Sequence, residues 1–225
     1  FGSWFFDFGT AVRHDGRMSD DADEDSEPLP ATDATAQEFD PLDYQVIATN
    51  VVDALLRQPF NSLPIPEAFA GAGVYLLYYS GPFEPYIPIG EADPIYAGKA
   101  IPPGSRRGLQ DIVATREPAL SNRLREHAAS IEAAENLDLA DFRCRYLVVK
   151  QIWIGVAESM LISQFRPVWN AVVDGFGLHH VGKTRYSQRR SDWDSLHPGR
   201  HWAANMQPGK DRAAIIEAIR RHLGA

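Results

Sequence analysis

A chain of 225 residues is long enough to bury one real core and short for two large domains. Its 44% hydrophobic and 23% charged residues are those of an ordinary globular protein, and no apolar run approaches the roughly 18 residues a membrane span needs, so a cytosolic (cytoplasmic) protein with no membrane partner is expected. The formal charge of −8 argues against a polyanionic partner only until it is divided: residues 1–48 hold 12 Asp and Glu against 2 Arg, and residues 49–225 carry a net +2.

Residues 1–42 read as an acidic leader. The first 17 lack both the basic start and the apolar core of a secretory signal, and Met18 is the expected translation start. The stretch that follows, MSDDADEDSEPLPATDATAQEFDPLD, has too little apolar surface to offset its ordering entropy, so disorder is expected there. A single domain is expected over residues 43–225.

From Asp43 to Gln58, apolar and small residues at three-residue steps (Val46, Thr49, Val52, Leu55) predict an amphipathic helix. A Pro-rich connector over Pro59–Pro66 leads to GVYLLYYS (Gly73–Ser80), a strand. The loop GPFEPYIPIGEAD joins it to a second strand, PIYAGKA (Pro94–Ala100), and the two suggest a hairpin-like pair. Ser121–Asn136 reads as a helix opened by a Ser or Asn cap, Asp141–Lys150 as a strand, and Gly155–Phe165 as a helix stopped by Pro167. The lone Cys144 excludes an intrachain disulfide and a cysteine-ligated zinc site, and reads as an inert strand residue. Asp174–Trp202 shows no useful periodicity, and Asp211–Leu223 is a closing helix.

Polar residues interrupt two apolar stripes. The stripe Leu120, Arg123, Leu124, His127, Ala128, Ile131 places an Arg and a His one turn apart on a core face. In the next helix Glu158 shares its stripe with Leu161, Ile162 and Phe165. Taken singly, each has a packing explanation: a snorkelling Arg, a satisfied core His, a buried salt bridge. An unpaired buried carboxylate costs several kcal/mol, so Glu158 requires an Arg, a Lys or a metal ion opposite it. Three such intrusions together point to a functional site.

Gly73-Val74-Tyr75 and Tyr96-Ala97-Gly98 resemble the paired motifs that name the GIY-YIG nuclease superfamily. The two tyrosines lie 21 residues apart on consecutive strands and are followed by Arg123, His127, Glu158 and Asn170 in the family's order. Val74 and Ala97 depart from the naming residues but are apolar replacements. YAGKA followed by a loop with Pro, Gly and Arg, together with a late SDWDSLHPGRHWA segment (Ser191–Ala203), is most similar to the type II restriction endonuclease branch.

The resemblance implies an α/β (α+β) fold built on a three-stranded antiparallel sheet flanked by helices, with a DNA-contact region over residues 174–225. It implies hydrolysis of double-stranded DNA at a short, palindromic, GC-rich site by a homodimer, with Mg²⁺ (or Mn²⁺) as cofactor and a cognate DNA methyltransferase as functional partner. Glu158 is the implied metal ligand, and Tyr75, Tyr96, Arg123, His127 and Asn170 are the implied catalytic set. Tyr75 is the family's water activator, yet an ordinary phenol lies roughly 3 to 4 kcal/mol from its anion at neutral pH. His127 as proton acceptor, together with the positive field of Arg123 and the metal, is expected to reduce that deficit.

DNA contacts are expected from Lys99, Arg106, Arg107, Lys183, Arg185, Arg189, Arg190 and Arg200, several of them interleaved with Tyr186, Trp193 and Trp202; a solvated basic loop is the alternative. His179 and His180 read as loop residues bonded locally. Two rival readings stand beside the restriction enzyme: a repair or structure-specific nuclease on the same core, and a non-catalytic DNA-binding protein.

Overall fold

The computed structural model describes residues 44–102, 117–178 and 186–224, all within a single unit that clusters over Asp40–Ala225. The acidic leader, the Met18 start, Arg106, Arg107, His179, His180, Lys183 and Arg185 lie outside the described residues. No helix among the described residues is long and apolar enough to cross a membrane.

The sheet grows from its most apolar segment. Strand β2 (Gly73–Tyr79) is buried along its whole length, and its two-residue alternation divides it between two cores. Tyr75, Leu77 and Tyr79 face one, Val74, Leu76 and Tyr78 the other. The run GVYLLYY is continuous rather than alternating because both faces are covered. Strands β3 (Tyr96–Ala100) and β4 (Phe142–Val148) flank β2 antiparallel, and a two-residue β1 (Asn61–Ser62) pairs with β4, giving the order β1-β4-β2-β3. Four strands therefore replace the expected three, the extra one being supplied by the Pro-rich connector, which is too short and too proline-rich to carry a period.

Helices cover both faces. On the Val74 side lie α1 (Tyr44–Leu56) and α3 (Gln151–Phe165), through Val52, Leu55, Ile154, Ala157 and Leu161. The buried face of α1 is Ala48, Val52 and Leu55, while Val46 and Thr49 are exposed; three-residue steps drift around a helix of 3.6 residues per turn. On the Tyr75 side lie α2 (Ala119–Glu132), α4 (Val168–Ala171), α5 (Asp192–Leu196) and α6 (Arg212–Leu223).

Helix α2 starts two residues before the expected Ser cap. The Gly71 carbonyl accepts from Leu120 N–H at 2.9 Å, so a neighbouring chain segment takes up one of the helix's first donors. Ser121 donates instead to the Phe69 and Pro118 carbonyls, at 3.1 and 3.2 Å. Helix α3 starts four residues earlier than expected, because Gly155 sits on its exposed face with open space around it and interrupts nothing.

Part of the expected DNA-contact segment, residues 191–202, folds inward. Ser191 caps α5 by accepting from Asp194 N–H, and Trp193 and Leu196 are fully buried in the Tyr75-side core. Beside them runs a chain of buried hydrogen bonds: Trp169 Nε1 donates to the Tyr86 hydroxyl at 2.8 Å, Tyr86 meets His197 Nε2 at 2.7 Å, and His197 Nδ1 meets Asn136 Oδ1 at 3.0 Å. An Nδ1–H tautomer satisfies every member, with Nε2 accepting from Tyr86.

Burial, helped by the Arg212 charge, pushes the His197 imidazole down to about 3. The unfolded chain takes up this proton near pH 6.5 and the folded chain refuses it, so the stability is whole above 6.5 and is lost toward pH 3, by about 1.4 kcal/mol per unit crossed. Melting temperature should fall through that window, and a His197→Gln protein, less stable at neutral pH, should show a shallower acid limb. Parallel acid limbs would contradict the assignment.

Candidate active site

Tyr75 sits in the middle of β2, opposite Gly98 of β3. A side chain on Gly98 would collide with the Tyr75 hydroxyl, which explains why glycine stands there. Tyr96, two residues earlier on β3, shares the same face, its ring centroid 6.2 Å from that of Tyr75. Helix α2 lies across this face, with Leu120, Leu124, Ala128 and Ile131 anchored in the core. The anchoring brings His127 to the tyrosines: its Nε2 is 2.6 Å from the Tyr75 hydroxyl, and its ring lies 5.4 Å from each phenol.

Arg123, one turn earlier, donates to the Gly177 carbonyl at 3.0 Å and to Glu126 at 3.2 Å. Burial lowers the affinity of its guanidinium for a proton, but charge and hydrogen-bond interactions with Tyr75 outweigh this and the net shift is upward. Burial also pushes Tyr75 well above its ordinary value; the Tyr96 charge adds to the rise, while Arg123 pulls the other way without reversing it. Arg123 acts on the phenol in the expected direction, but desolvation outweighs it, and Tyr75 is a neutral phenol. Burial raises Tyr96 as well.

Period-two alternation sends Lys99 to the sheet face opposite Tyr96 and Gly98, the face that α3 covers. There its Nζ lies 2.6 Å from Glu158 Oε2. The cation required opposite Glu158 is therefore Lys99, and this lysine, expected on DNA, is committed to a carboxylate in the free protein. The Glu158 side chain is 19% exposed and Lys99 39%, so the carboxylate is partly accessible to solvent. Among the described residues no three His, Cys, Asp or Glu gather to hold a metal ion. One accessible carboxylate fits Mg²⁺, a hard cation that keeps most of its water ligands. An open cleft of ≈ 340 Å³ runs between the end of β3 and the start of α2, lined by Lys99, Ala100, Ile101, Asn122, Arg123 and Glu126.

Asn170 of α4 grips a single peptide of β3. Its Oδ1 accepts from Ala97 N–H at 2.8 Å and its Nδ2 donates to the Ala97 carbonyl at 2.9 Å, between Tyr96 and Gly98. It holds the strand that carries Tyr96 and touches no other residue of the cluster by hydrogen bond.

The expected DNA contacts separate. Arg189 is exposed and Arg190 half-buried, its Nε donating to the Ala203 carbonyl at 3.2 Å. Arg200 is buried to 5% exposure and ion-paired with Asp194 at 2.7 Å, so its assignment to DNA is withdrawn. Interleaved aromatics and cations gave the same local pattern that a buried cation between indoles gives.

The sequence reading missed Glu126, Phe176 and Gly177. Glu126 was findable as an i,i+3 partner of Arg123. Phe176 stacks on His127 at 4.4 Å and 15°, and no periodic signal marks it.

A four-stranded antiparallel sheet, covered by helices, with two tyrosines and a His clustered by an Arg that lines a cleft, and a Glu paired with a Lys of the same cleft, belongs to the class of small α/β nucleases. Residues 67–223 match the family model described as the Eco29kI GIY-YIG domain, and the chain belongs to that family of restriction-type GIY-YIG DNA endonucleases. No curated protein matches the chain.

Proposed function

We propose that the protein is a site-specific restriction endonuclease that hydrolyses phosphodiesters of double-stranded DNA with Mg²⁺, acting as a homodimer on a short palindrome. The observation that carries this reading is the 2.6 Å contact between the Tyr75 hydroxyl and His127 Nε2, with Arg123 beside them at the cleft. The core holds another buried phenol–imidazole pair, Tyr86 with His197; what distinguishes Tyr75 and His127 is the charged Arg123 beside them, which lines the cleft.

Hydrolysis needs a proton acceptor for water, charge stabilisation on the phosphoryl oxygens and help for the departing 3′ oxygen. The neutral Tyr75 gives its proton to His127 Nε2 as its oxygen takes one from the attacking water, so no free phenolate forms. The water oxygen bonds to phosphorus, the bond from phosphorus to the 3′ oxygen breaks, and that oxygen takes a proton from solvent. Arg123 clamps the non-bridging oxygens with planar donors that never lose their charge. The Tyr96 hydroxyl orients water or phosphate, and Asn170 keeps the Tyr96 backbone in place. Glu158 would hold Mg²⁺, and the chemistry supplied there is neutralisation of charge on the leaving oxygen. Two-fold symmetric sites are matched by two-fold symmetric proteins, which is the reason for the homodimer.

Digestion of a mixed-sequence plasmid with Mg²⁺ tests the whole reading. Discrete fragments sharing one end sequence support it, and EDTA should abolish them. Cutting only of branched or damaged DNA would favour the repair-type nuclease, and intact plasmid under all conditions would defeat the proposal.

A further inference from the structure

Arg200 is the most heavily bonded cation among the described residues, and its bonds converge on one short loop. Its guanidinium lies between the rings of Trp193 and Trp202, 4.4 and 4.7 Å from their centroids. One donor, Nε, goes to Asp194 Oδ1 at 2.7 Å, and Asp194 is fixed in turn by the Ser191 hydroxyl at 2.6 Å. Three more donors go to backbone: Nη1 to the carbonyls of Phe176 and Leu178 at 3.2 and 3.0 Å, and Nη2 to that of Gly175 at 3.0 Å.

Three of the four carbonyls from residue 175 to residue 178 are therefore held by one cation. The fourth, that of Gly177, accepts from Arg123 Nη2 at 3.0 Å. Between them the Phe176 ring stacks on His127 and meets Tyr96 edge-on, at 4.9 Å and 78°. The fit is close: a side chain on Gly177 would lie 3.0 Å from the Tyr96 hydroxyl and 3.2 Å from Arg123 Nη2. One four-residue loop thus touches Tyr96, Arg123 and His127, and the direction of its peptides is set from behind by Arg200. Only a planar fork with five donors satisfies this acceptor set; an ammonium has three donors and no plane.

We propose that Arg200 is a positioning residue for the nuclease reaction, fixing the Gly175–Leu178 loop so that the Gly177 carbonyl aims Arg123 and the Phe176 ring holds His127 against Tyr75. The late basic and aromatic segment then acts behind the active site. The catalytic consequence rests on the nuclease reading above; the positioning itself does not.

The test uses the full chain with Arg200→Lys, which keeps a cation for Asp194 and loses the fork. Two measurements are made on the folded protein. In the first, the His127 imidazole resonances, assigned with a His127→Gln sample, should shift as the Phe176 ring current changes. In the second, the single-turnover cleavage rate should fall about 10- to 100-fold, the cost of a misplacement near 1 Å, while DNA affinity stays within about three-fold. If Arg200→Lys fails to fold, Asp194→Asn with Arg200→Gln removes both charges of the pair and takes the same measurements.

Unmoved His127 resonances with wild-type cleavage would overturn the proposal, leaving Arg200 a core cation. A loss of DNA affinity at unchanged rate would also overturn it and return Arg200 to DNA contact. Should the wild-type protein cut no DNA, the nuclease reading fails by itself, and the resonances still decide whether Arg200 sets the loop.

Discussion

A Glu158→Gln protein is expected to bind its DNA site and leave it uncut. The amide keeps the shape of the side chain but loses the charge that a hard divalent cation requires. Several kcal/mol of transition-state stabilisation disappear with it, a rate loss of about 10³-fold. Binding should hold or improve, for a reason visible in the free protein. Lys99 spends its charge on Glu158 at 2.6 Å, and the substitution removes an anion from the cleft's edge while freeing that lysine for a phosphate. Gel-shift affinity in EDTA, read beside cleavage in Mg²⁺, checks both halves. Wild-type cleavage by this variant would remove Glu158 from the metal site.

The second large effect is expected from Tyr75→Phe. The ring stays in a strand buried on both faces, and only the hydroxyl bonded to His127 is lost. Removing a positioned proton-transfer group costs about 10² to 10⁴ in rate. Because His127 Nε2 loses its buried partner, stability should fall as well, by about 1 to 3 kcal/mol. The rate must therefore be measured at a temperature where the variant is fully folded, with DNA affinity as the control. A folded variant that cuts within a few-fold of wild type would exclude Tyr75 as the water activator and move that role to His127 itself.

Much of the site was legible because its residues break local rules. Arg123 and His127 on the stripe of α2 cannot be explained by helix propensity, and Glu158 on α3 states its own need for a cation. The identity of that cation was in principle readable, since strand alternation puts Lys99 on the opposite face from Tyr96. What remained hidden depends on direction in space. A run of Arg, Trp and Tyr over residues 185–202 has the same composition whether it faces phosphate or folds inward, and only the buried pair of Asp194 with Arg200 decides between them. Likewise how far Tyr75 lies from its anion was not readable from its neighbours alone. Arg123 is as close as expected, but the desolvation that overrides it is a property of the whole packed face. The fourth strand escaped because two residues carry no period.

Asn170 has a consequence for assembly. Its amide oxygen accepts from the Ala97 N–H, its amide nitrogen donates to the Ala97 carbonyl, and Trp169 N–H donates to the Ile95 carbonyl at 3.0 Å. A side chain and a short helix thereby imitate the strand that would otherwise lie beside β3. An exposed β edge is a template for another chain, and this one is capped at the two residues flanking Tyr96, Ile95 and Ala97, the latter the motif's centre. A second copy therefore cannot extend the sheet through that segment of β3, and the strand that carries Tyr96 is closed on the side away from β2 by its own chain.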